Sequence, residues 1–490
     1  MREPSVEHAN SSHTDKALRG LRQIGLARLI TQVVTWTLTA ITVHLLAPRD
    51  YGLIATVGIV TSLAQTLLDG GLAPVLISQR ELTKRLQGAA MTAVFFVSLV
   101  LSATIFATAP LVATFFRSPP LKVILEISAL EPPLSALAVA PTVLLSKRML
   151  FQRLARIQLT VGVCQGICVL ALAYAGARYW ALVIGDLFGM SLRATLLWLC
   201  LDERPAPNLR LRELRPLVRN SAHMIAQRIS YFGIGNFDIF LLGRLWGPTV
   251  LGPYSVARSL AHTALDKIQG VAGQVSVPAF AGKIEATDQF RDLVNVISVS
   301  ATLVFPLFWI MGIISQVALP MLFGTRWLKL VIPFAAFASI LPLRAIYSLS
   351  NSALVGTGRT GISFKNTLTW LAFLLPLMLI GATKGADGVA FSWAVSFPIA
   401  FYFAMRRTAK VFGATASTLL KPTVRPAICA ITSAFIAEGT LFALSHHSPP
   451  LIILACQGAA SAVSYPVLLR HLSRSQYEKT LSVVRRVARV

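Results

Sequence analysis

Fourteen ionisable side chains fall inside stretches that are otherwise apolar, and they divide evenly by sign. The basic ones are Arg28, Arg193, Arg228, Arg244, Arg258, Lys267 and Arg344; the acidic ones are Asp69, Glu126, Glu131, Asp186, Asp238, Asp266 and Glu438. Cations held away from bulk water can grip anionic oxygens, and the planar guanidinium does so through two parallel N–H donors. Carboxylates in the same setting can carry a proton or hold a small cation. The even division also allows the charges to pair with each other. Facing lipid is the expensive arrangement, since each charge at a bilayer centre costs about 2.5–3.5 kcal/mol even on a lenient scale.

The stretch "NFDIFLLGRLWGPTVLGPYSVARSL", residues 236–260, reads as two apolar helices joined at a Gly-Pro turn. Asp238 and Arg258 lie on either side of that turn at matching depth, about 10–12 Å from the junction at 1.5 Å per residue. Two readings stand: a buried pair that fixes helix packing, or a hydrated cleft in which Arg258 meets an anionic or polar substrate and Asp238 orients it. Arg28 and Arg228 lie near span ends, where they can snorkel to head groups or form a cationic mouth. Asp186 and Arg193 share a helix face two turns apart, whereas Asp266 and Lys267 are adjacent and look in different directions. Arg344 is mid-span. In "EISALEPPL", residues 126–134, Pro132 and Pro133 must kink the helix that carries Glu126 and Glu131. The candidate substrate contacts are therefore Arg28, Arg193, Arg228, Asp238, Arg258, Lys267 and Arg344, and the candidate ion-coupling groups are Glu131, Asp186, Asp238 and Asp266.

The elements that must position these residues follow from composition. Of 490 residues, 55% are hydrophobic and 13% charged, and the mean hydropathy is +0.66, which places the chain among integral membrane proteins. Apolar stretches predict fourteen spans: 24–46, 52–76, 88–109, 122–145, 157–176, 179–201, 221–245, 252–277, 292–315, 329–355, 363–383, 386–406, 422–445 and 450–470. The first is full length, so it reads as an uncleaved span and not a signal peptide. The predicted outer loops hold Arg49, Arg117, Lys122, Arg178, Arg326, Lys329 and Lys384; apart from the seven in-span cations, the other Lys and Arg fall on the side of the termini. By the positive-inside rule both termini are cytoplasmic, and the net charge of +25 reflects orientation and not nucleic-acid binding.

"LLAPRDYGLIATVGI" at 45–59 and "LWGPTVLGPYSVARS" at 245–259 share a Pro-x-x-x-Gly junction at an offset of 200 residues, which aligns Pro48 with Pro248, Gly52 with Gly252, Arg28 with Arg228 and Gly70 with Gly270. Two like-oriented six-helix lobes follow, enclosing a central cleft. The domain plan is a cytoplasmic segment 1–23, an N-lobe 24–201, a linker 202–220, a C-lobe 221–406, a loop 407–421, two further helices in 422–470 and a basic tail 471–490. Gly70, Gly71, Pro306, Pro342, Pro376 and Pro398 would loosen or bend their helices.

Enzymatic signatures are missing. There is no P-loop, dinucleotide fingerprint or His/Asp/Glu cluster with ligand spacing; His446 and His447 share a short outer loop, and Cys164, Cys168, Cys200, Cys429 and Cys456 fall in or at the ends of apolar segments, as packing residues do. The short loops leave no room for a transferase domain. Transport without an ATPase of its own is the economical class, with no cofactor and with proton or sodium coupling as the candidate drive.

The junction segments "DIFLLGRLWGPTVLGPYSVARSL" and "HLLAPRDYGLIA" resemble the corresponding hairpins of the polysaccharide transporter family, in the multidrug/oligosaccharidyl-lipid/polysaccharide flippase superfamily. "LLSKRMLFQRLARIQL", "YWALVIGDL", "LPMLFGTRW" and "ALVGTGRTG" are similar to further family stretches in the same order, over residues 20 to 410. The family often has a proline in the eighth span where this chain reads Leu265 and Asp266. The resemblance implies an all-α polytopic fold of fourteen helices, two six-helix lobes around a central cavity plus two C-terminal helices, in a bacterial inner membrane. It also implies a non-enzymatic role, the movement of an undecaprenyl-diphosphate-linked oligosaccharide to the periplasmic leaflet for exopolysaccharide, capsule or O-antigen assembly, beside polymerase or export proteins. An ion-coupled multidrug or small-solute exporter of the same fold is the alternative.

Overall fold

The computed structural model describes residues 36–71, 84–148, 150–201, 208, 215–281, 286–444 and 448–489, and among them every regular element is helical. In chain order these are α1 (36–45), α2 (Pro48–Gly71), α3 (Lys84–Phe115), α4 (Pro120–Ser128), α5 (Glu131–Lys147), α6 (Phe151–Tyr174), α7 (Tyr179–Leu199) and α8 (Arg215–Trp246). There follow α9 (Pro248–Ala281), α10 (Ala286–Phe323), α11 (Val331–Gly356), α12 (Thr360–Gly381), α13 (Gly385–Val411), α14 (Ala416–Leu444), α15 (Pro450–Leu472) and α16 (Arg474–Arg489).

Ten segments among the described residues are apolar and long enough to cross a bilayer, and one of them, Thr360–Val411, comprises both α12 and α13. Large apolar side chains such as Phe96, Phe435 and Phe442 point outward, Phe442 with 82% of its surface exposed. Water would penalise such a surface, whereas acyl chains match it. The protein is a multi-pass membrane protein.

Proline and glycine set the helix ends. Pro48, Pro120, Pro248 and Pro450 each occupy the first position of a helix, where the missing N–H has no intrahelical partner to lose. Between α8 and α9, Gly247 takes φ +73°, a left-handed conformation that lets the chain reverse within one residue before Pro248 starts the next helix.

Inside the spans, proline frees the carbonyl four residues earlier, and in a membrane that acceptor must find another donor. Among the described residues, four of these carbonyls are capped from a neighbouring helix. The Ser102 hydroxyl donates to the Ala129 carbonyl ahead of Pro133, and the Trp198 indole N–H to the Leu137 carbonyl (2.8 Å) ahead of Pro141. The Tyr465 hydroxyl donates to the Thr302 carbonyl (2.7 Å) ahead of Pro306, and the Gln476 amide to the Pro422 carbonyl (3.0 Å) ahead of Pro426. At "EISALEPPL" the expected kink interrupts the helix: α4 ends at Ser128, α5 restarts at Glu131 with Pro132 and Pro133 in its first turn, and the two pieces together make one membrane-length segment.

Contacts divide the chain after Gly252. In the first unit, Leu53, Val57, Ile105, Ala109, Ile124 and Leu125 form a core between α2, α3 and α4. There α2 also packs along α8, and at the end of α3 the Phe115 ring stacks on Phe240 of α8 while Phe116 meets both edge-on, with Arg244 over Phe115 at 5.0 Å. The aligned junctions touch. A Cβ on Gly52 would collide with the Pro248 carbonyl, and a Cβ on Gly252 with the Pro48 carbonyl, so each glycine lets the first turn of one helix lie backbone to backbone on the other.

In the second unit, α10 packs along α11 and α14, and α12 along α13. The basic tail at 471–490 forms α16 over Arg474–Arg489, which folds back on the bundle: Gln476 donates to the Ser298 hydroxyl (3.1 Å) and Lys479 to Asn295 Oδ1 (2.5 Å).

Candidate functional site

The interior of the second unit carries a cationic, aromatic cluster. Arg258 and His262 are one turn apart on α9 and share a face. From α11, Arg344 reaches this face and brings Nη1 to 3.0 Å from His262 Nε2. A guanidinium only donates, so Nε2 must accept, which makes the imidazole neutral with its proton on Nδ1. The Arg344 guanidinium also lies over the Trp393 ring of α13 at 5.5 Å, where the ring's negative face attracts it. The His262 ring meets Phe337 and Trp393 edge-on at 6.2 and 6.5 Å, and Trp370 of α12 lies against Trp393 at 5.3 Å. Trp393 is 1% exposed, whereas Arg258, His262 and Arg344 are each half-buried, so the cluster runs from the packed interior to accessible surface. The indole N–H groups of Trp370 and Trp393 are both buried without an acceptor.

The interior of the first unit carries the opposite charge. Asp186 on α7 accepts from the Gln165 amide of α6 at 2.6 Å, and Gly189, one turn along α7, leaves the space that the Gln165 side chain fills. Glu131, in the first turn of α5, lies beside Asp186 and beside the hydroxyls of Ser128 and Thr61. The break at Pro132 and Pro133 places Glu131 at a helix start, where the free N–H groups favour a carboxylate.

Asp238 is 0% exposed, and its Oδ1 accepts from the Ile239 backbone N–H at 2.8 Å, so its carboxylate is enclosed by protein. Arg228 on α8 and Arg193 on α7 are exposed. Asp186 and Arg193 thus share a helix face but not an environment, because α6 covers that face at Asp186. Arg28 lies outside the described residues, as do the side chains of Asp266 and Lys267 on α9. Among the candidates, Arg258 and Arg344 come together in the second unit, and Glu131 and Asp186 in the first.

Sequence reasoning did not single out His262, Trp370, Trp393 or Gln165. His262 carried a signal, its four-residue spacing from Arg258. Trp393 and Gln165 carried none, since an aromatic or an amide in an apolar helix gains meaning only from the helix that packs on it.

This geometry sits on a fold shared with solved transporters. The lipid II flippase MurJ in an inward closed conformation superposes with a TM-score of 0.74 over 92% of this chain and 99% of that one, at 13% identity. An inward-facing multidrug resistance MATE family transporter of the MOP superfamily gives 0.61 over 80% and 96%, at 16% identity. Among curated sequences, the lipopolysaccharide biosynthesis protein WzxC of Escherichia coli (strain K12) is 22% identical over 76% of this chain and 77% of its own length. The teichuronic acid biosynthesis protein TuaB of Bacillus subtilis (strain 168) is 23% identical over 84% and 86%. The profile of the polysaccharide biosynthesis protein family matches residues 41–332, more than half of the chain, and the protein belongs to that family.

Proposed function

We propose that the protein is a flippase that carries a lipid-diphosphate-linked oligosaccharide across the membrane for polysaccharide assembly. The observation that carries this reading is the cluster of Arg258, His262, Arg344 and Trp393, the last two on segments apolar and long enough to cross a bilayer. A sugar diphosphate cannot cross hydrocarbon unaided, because a bare charge there costs tens of kcal/mol by Born solvation. Guanidiniums offer the diphosphate a charged, hydrogen-bonding path, and aromatic faces suit sugar rings. The lipid tail stays among acyl chains, matched by the apolar outer surface of the helices. Membership of the polysaccharide biosynthesis family and the MurJ-like fold support the same reading.

The substrate enters from the cytoplasmic leaflet of the inner membrane. The concentration of Lys and Arg on the side of the termini supports that orientation. The Glu131–Asp186 pair is the candidate site for a coupling proton or sodium ion, since two neighbouring carboxylates in one interior favour uptake of a positive charge. The same pair would serve an ion-coupled exporter, the alternative that the carboxylates favour.

A deletion strain tests the reading. Lipid-linked oligosaccharide should accumulate in the cytoplasmic leaflet and clear when the wild-type protein is restored, but not with Arg258→Ala. An unchanged leaflet distribution on deletion overturns it.

A further inference from the structure

The tail helix starts where a membrane-length segment stops. α15 ends at Leu472 and α16 begins at Arg474, so Ser473 alone separates them, and α16 starts at the level where the spanning helices leave the hydrocarbon. It then crosses the ends of other helices. The Gln476 amide donates to the Pro422 carbonyl of α14 (3.0 Å) and to the Ser298 hydroxyl of α10 (3.1 Å), and Lys479 Nζ donates to Asn295 Oδ1 of α10 (2.5 Å). Thr480, one turn after Gln476, is buried on the same side.

That attachment leaves a second face of α16 turned outward. Arg474, Tyr477, Leu481 and Arg485 follow one another at helical spacing and form a stripe, the two arginines exposed and the two apolar groups half-buried. The Arg425 guanidinium of α14 lies 3.4 Å from the Ser473 hydroxyl, and it is exposed there, as are Lys421 on the same helix and Arg470 in the last turn of α15. Among the described residues, the carboxylates of these helix ends are Asp292, half-buried on α10, and Glu478, which pairs with Arg474 at 2.8 Å. Cations therefore predominate on this surface.

We propose that α16 lies in the head-group layer of the membrane and that Arg470, Arg474 and Arg485, beside Tyr477 and Leu481, form a binding surface for anionic phospholipid. Guanidiniums suit phosphodiester oxygens, and their methylene stems can lie along apolar surface while the charged heads stay at the boundary. A tyrosine ring fits the same layer. A soluble polyanion would satisfy the arginines but leave Tyr477 and Leu481 in water, so a lipid surface matches the stripe more completely. The bonds from Gln476 and Lys479 tie this surface to α10 and α14, so lipid held there steadies α16 against both helices.

The test uses the full-length protein. In detergent micelles it is titrated with short-chain phosphatidylglycerol, and with short-chain phosphatidylcholine as the neutral probe. Phosphatidylglycerol should bind at least about tenfold more tightly, and a variant carrying Arg470→Gln, Arg474→Gln and Arg485→Gln should lose about a hundredfold, at about fivefold for each charge removed near an anionic surface. Replacing the same three by lysine keeps the charge and should stay within about threefold of the wild type. Glu478→Gln removes a carboxylate that competes for Arg474 and should tighten binding about fivefold, a gain that loss of folding cannot imitate.

Placement is read by amide hydrogen exchange in lipid nanodiscs. Exchange over α16 should be slower in equal parts phosphatidylcholine and phosphatidylglycerol than in phosphatidylcholine alone, and the glutamine variant should abolish the difference. Equal affinity for the two lipids, wild-type affinity in the glutamine variant, or the same exchange in both kinds of nanodisc overturns the proposal. An oligonucleotide that binds through the same three arginines while the protein sits in phosphatidylglycerol nanodiscs would make a soluble polyanion the partner and overturns it as well. None of these measurements depends on the cargo, so the flippase reading stands or falls separately on the leaflet assay.

Discussion

Among the described residues, the polar clusters of the two units are opposite in character. Between α5, α6 and α7 the first holds Glu131, Asp186 and the Gln165 amide; between α9, α11 and α13 the second holds Arg258, Arg344, a neutral His262 and two indoles. Yet the junctions Pro48–Gly52 and Pro248–Gly252 match in sequence and press on each other reciprocally. The two junctions thus share a backbone geometry, whereas the side-chain chemistry of the two interiors differs. Backbone contact tolerates no substituent at either glycine, whereas an interior position can change its side chain as long as its new polar groups find partners.

The largest effects should come from breaking what the two junctions share. Gly52→Ala and Gly252→Ala each drive a methyl into a carbonyl of the partner junction, and each should destabilise by about 3 kcal/mol, the upper range for overpacking. Thermal unfolding in detergent checks this, and losses that differ widely between the two would show that the contact is not reciprocal in energy. Next comes the basic interior. Arg344→Ala removes the guanidinium offered to the diphosphate, and losing one charged hydrogen bond to the substrate, about 2 kcal/mol, should lower flipping about thirtyfold in a leaflet assay.

The acidic interior should answer differently. Glu131→Gln and Asp186→Asn mimic the protonated forms, so they should leave undecaprenyl diphosphate binding unchanged while flattening the pH or sodium dependence of flipping, with a loss of about tenfold in rate. A loss of binding in these variants would erase the distinction between the interiors. The smallest effects concern the caps on proline-freed carbonyls. Trp198→Phe should cost about 1 kcal/mol in unfolding experiments, and less in a Pro141→Ala background, where residue 141 regains its own N–H.

The frame was legible in the chain itself. Apolar runs of bilayer length gave helices, and Pro48, Pro248 and Gly247 marked their ends, because these signals are local: they depend on the residue's own dihedrals and on the solvent its segment must match. The charges inside the spans were legible as candidates for the same reason, since a charge in an apolar helix conflicts with its own segment. Their grouping was not. Asp186 and Arg193 share one face of α7, yet α6 covers one and leaves the other exposed. Asp238, read either as part of a buried packing pair or as a cleft residue, is buried. His262 drew no notice until α11 brought Arg344 to it, and Trp393 gained meaning only beneath that guanidinium.

Sequence alone determined that the chain crosses a membrane many times, where its helices turn and which ionisable groups it takes into the apolar layer, because these are set by interactions within a few residues and by the cost of charge in hydrocarbon. Tertiary structure alone decided which of those groups meet. A helix face fixes a side chain's direction but not what stands opposite, and hydrogen bonds and ion–ring contacts act over only a few ångströms between helices far apart in the chain.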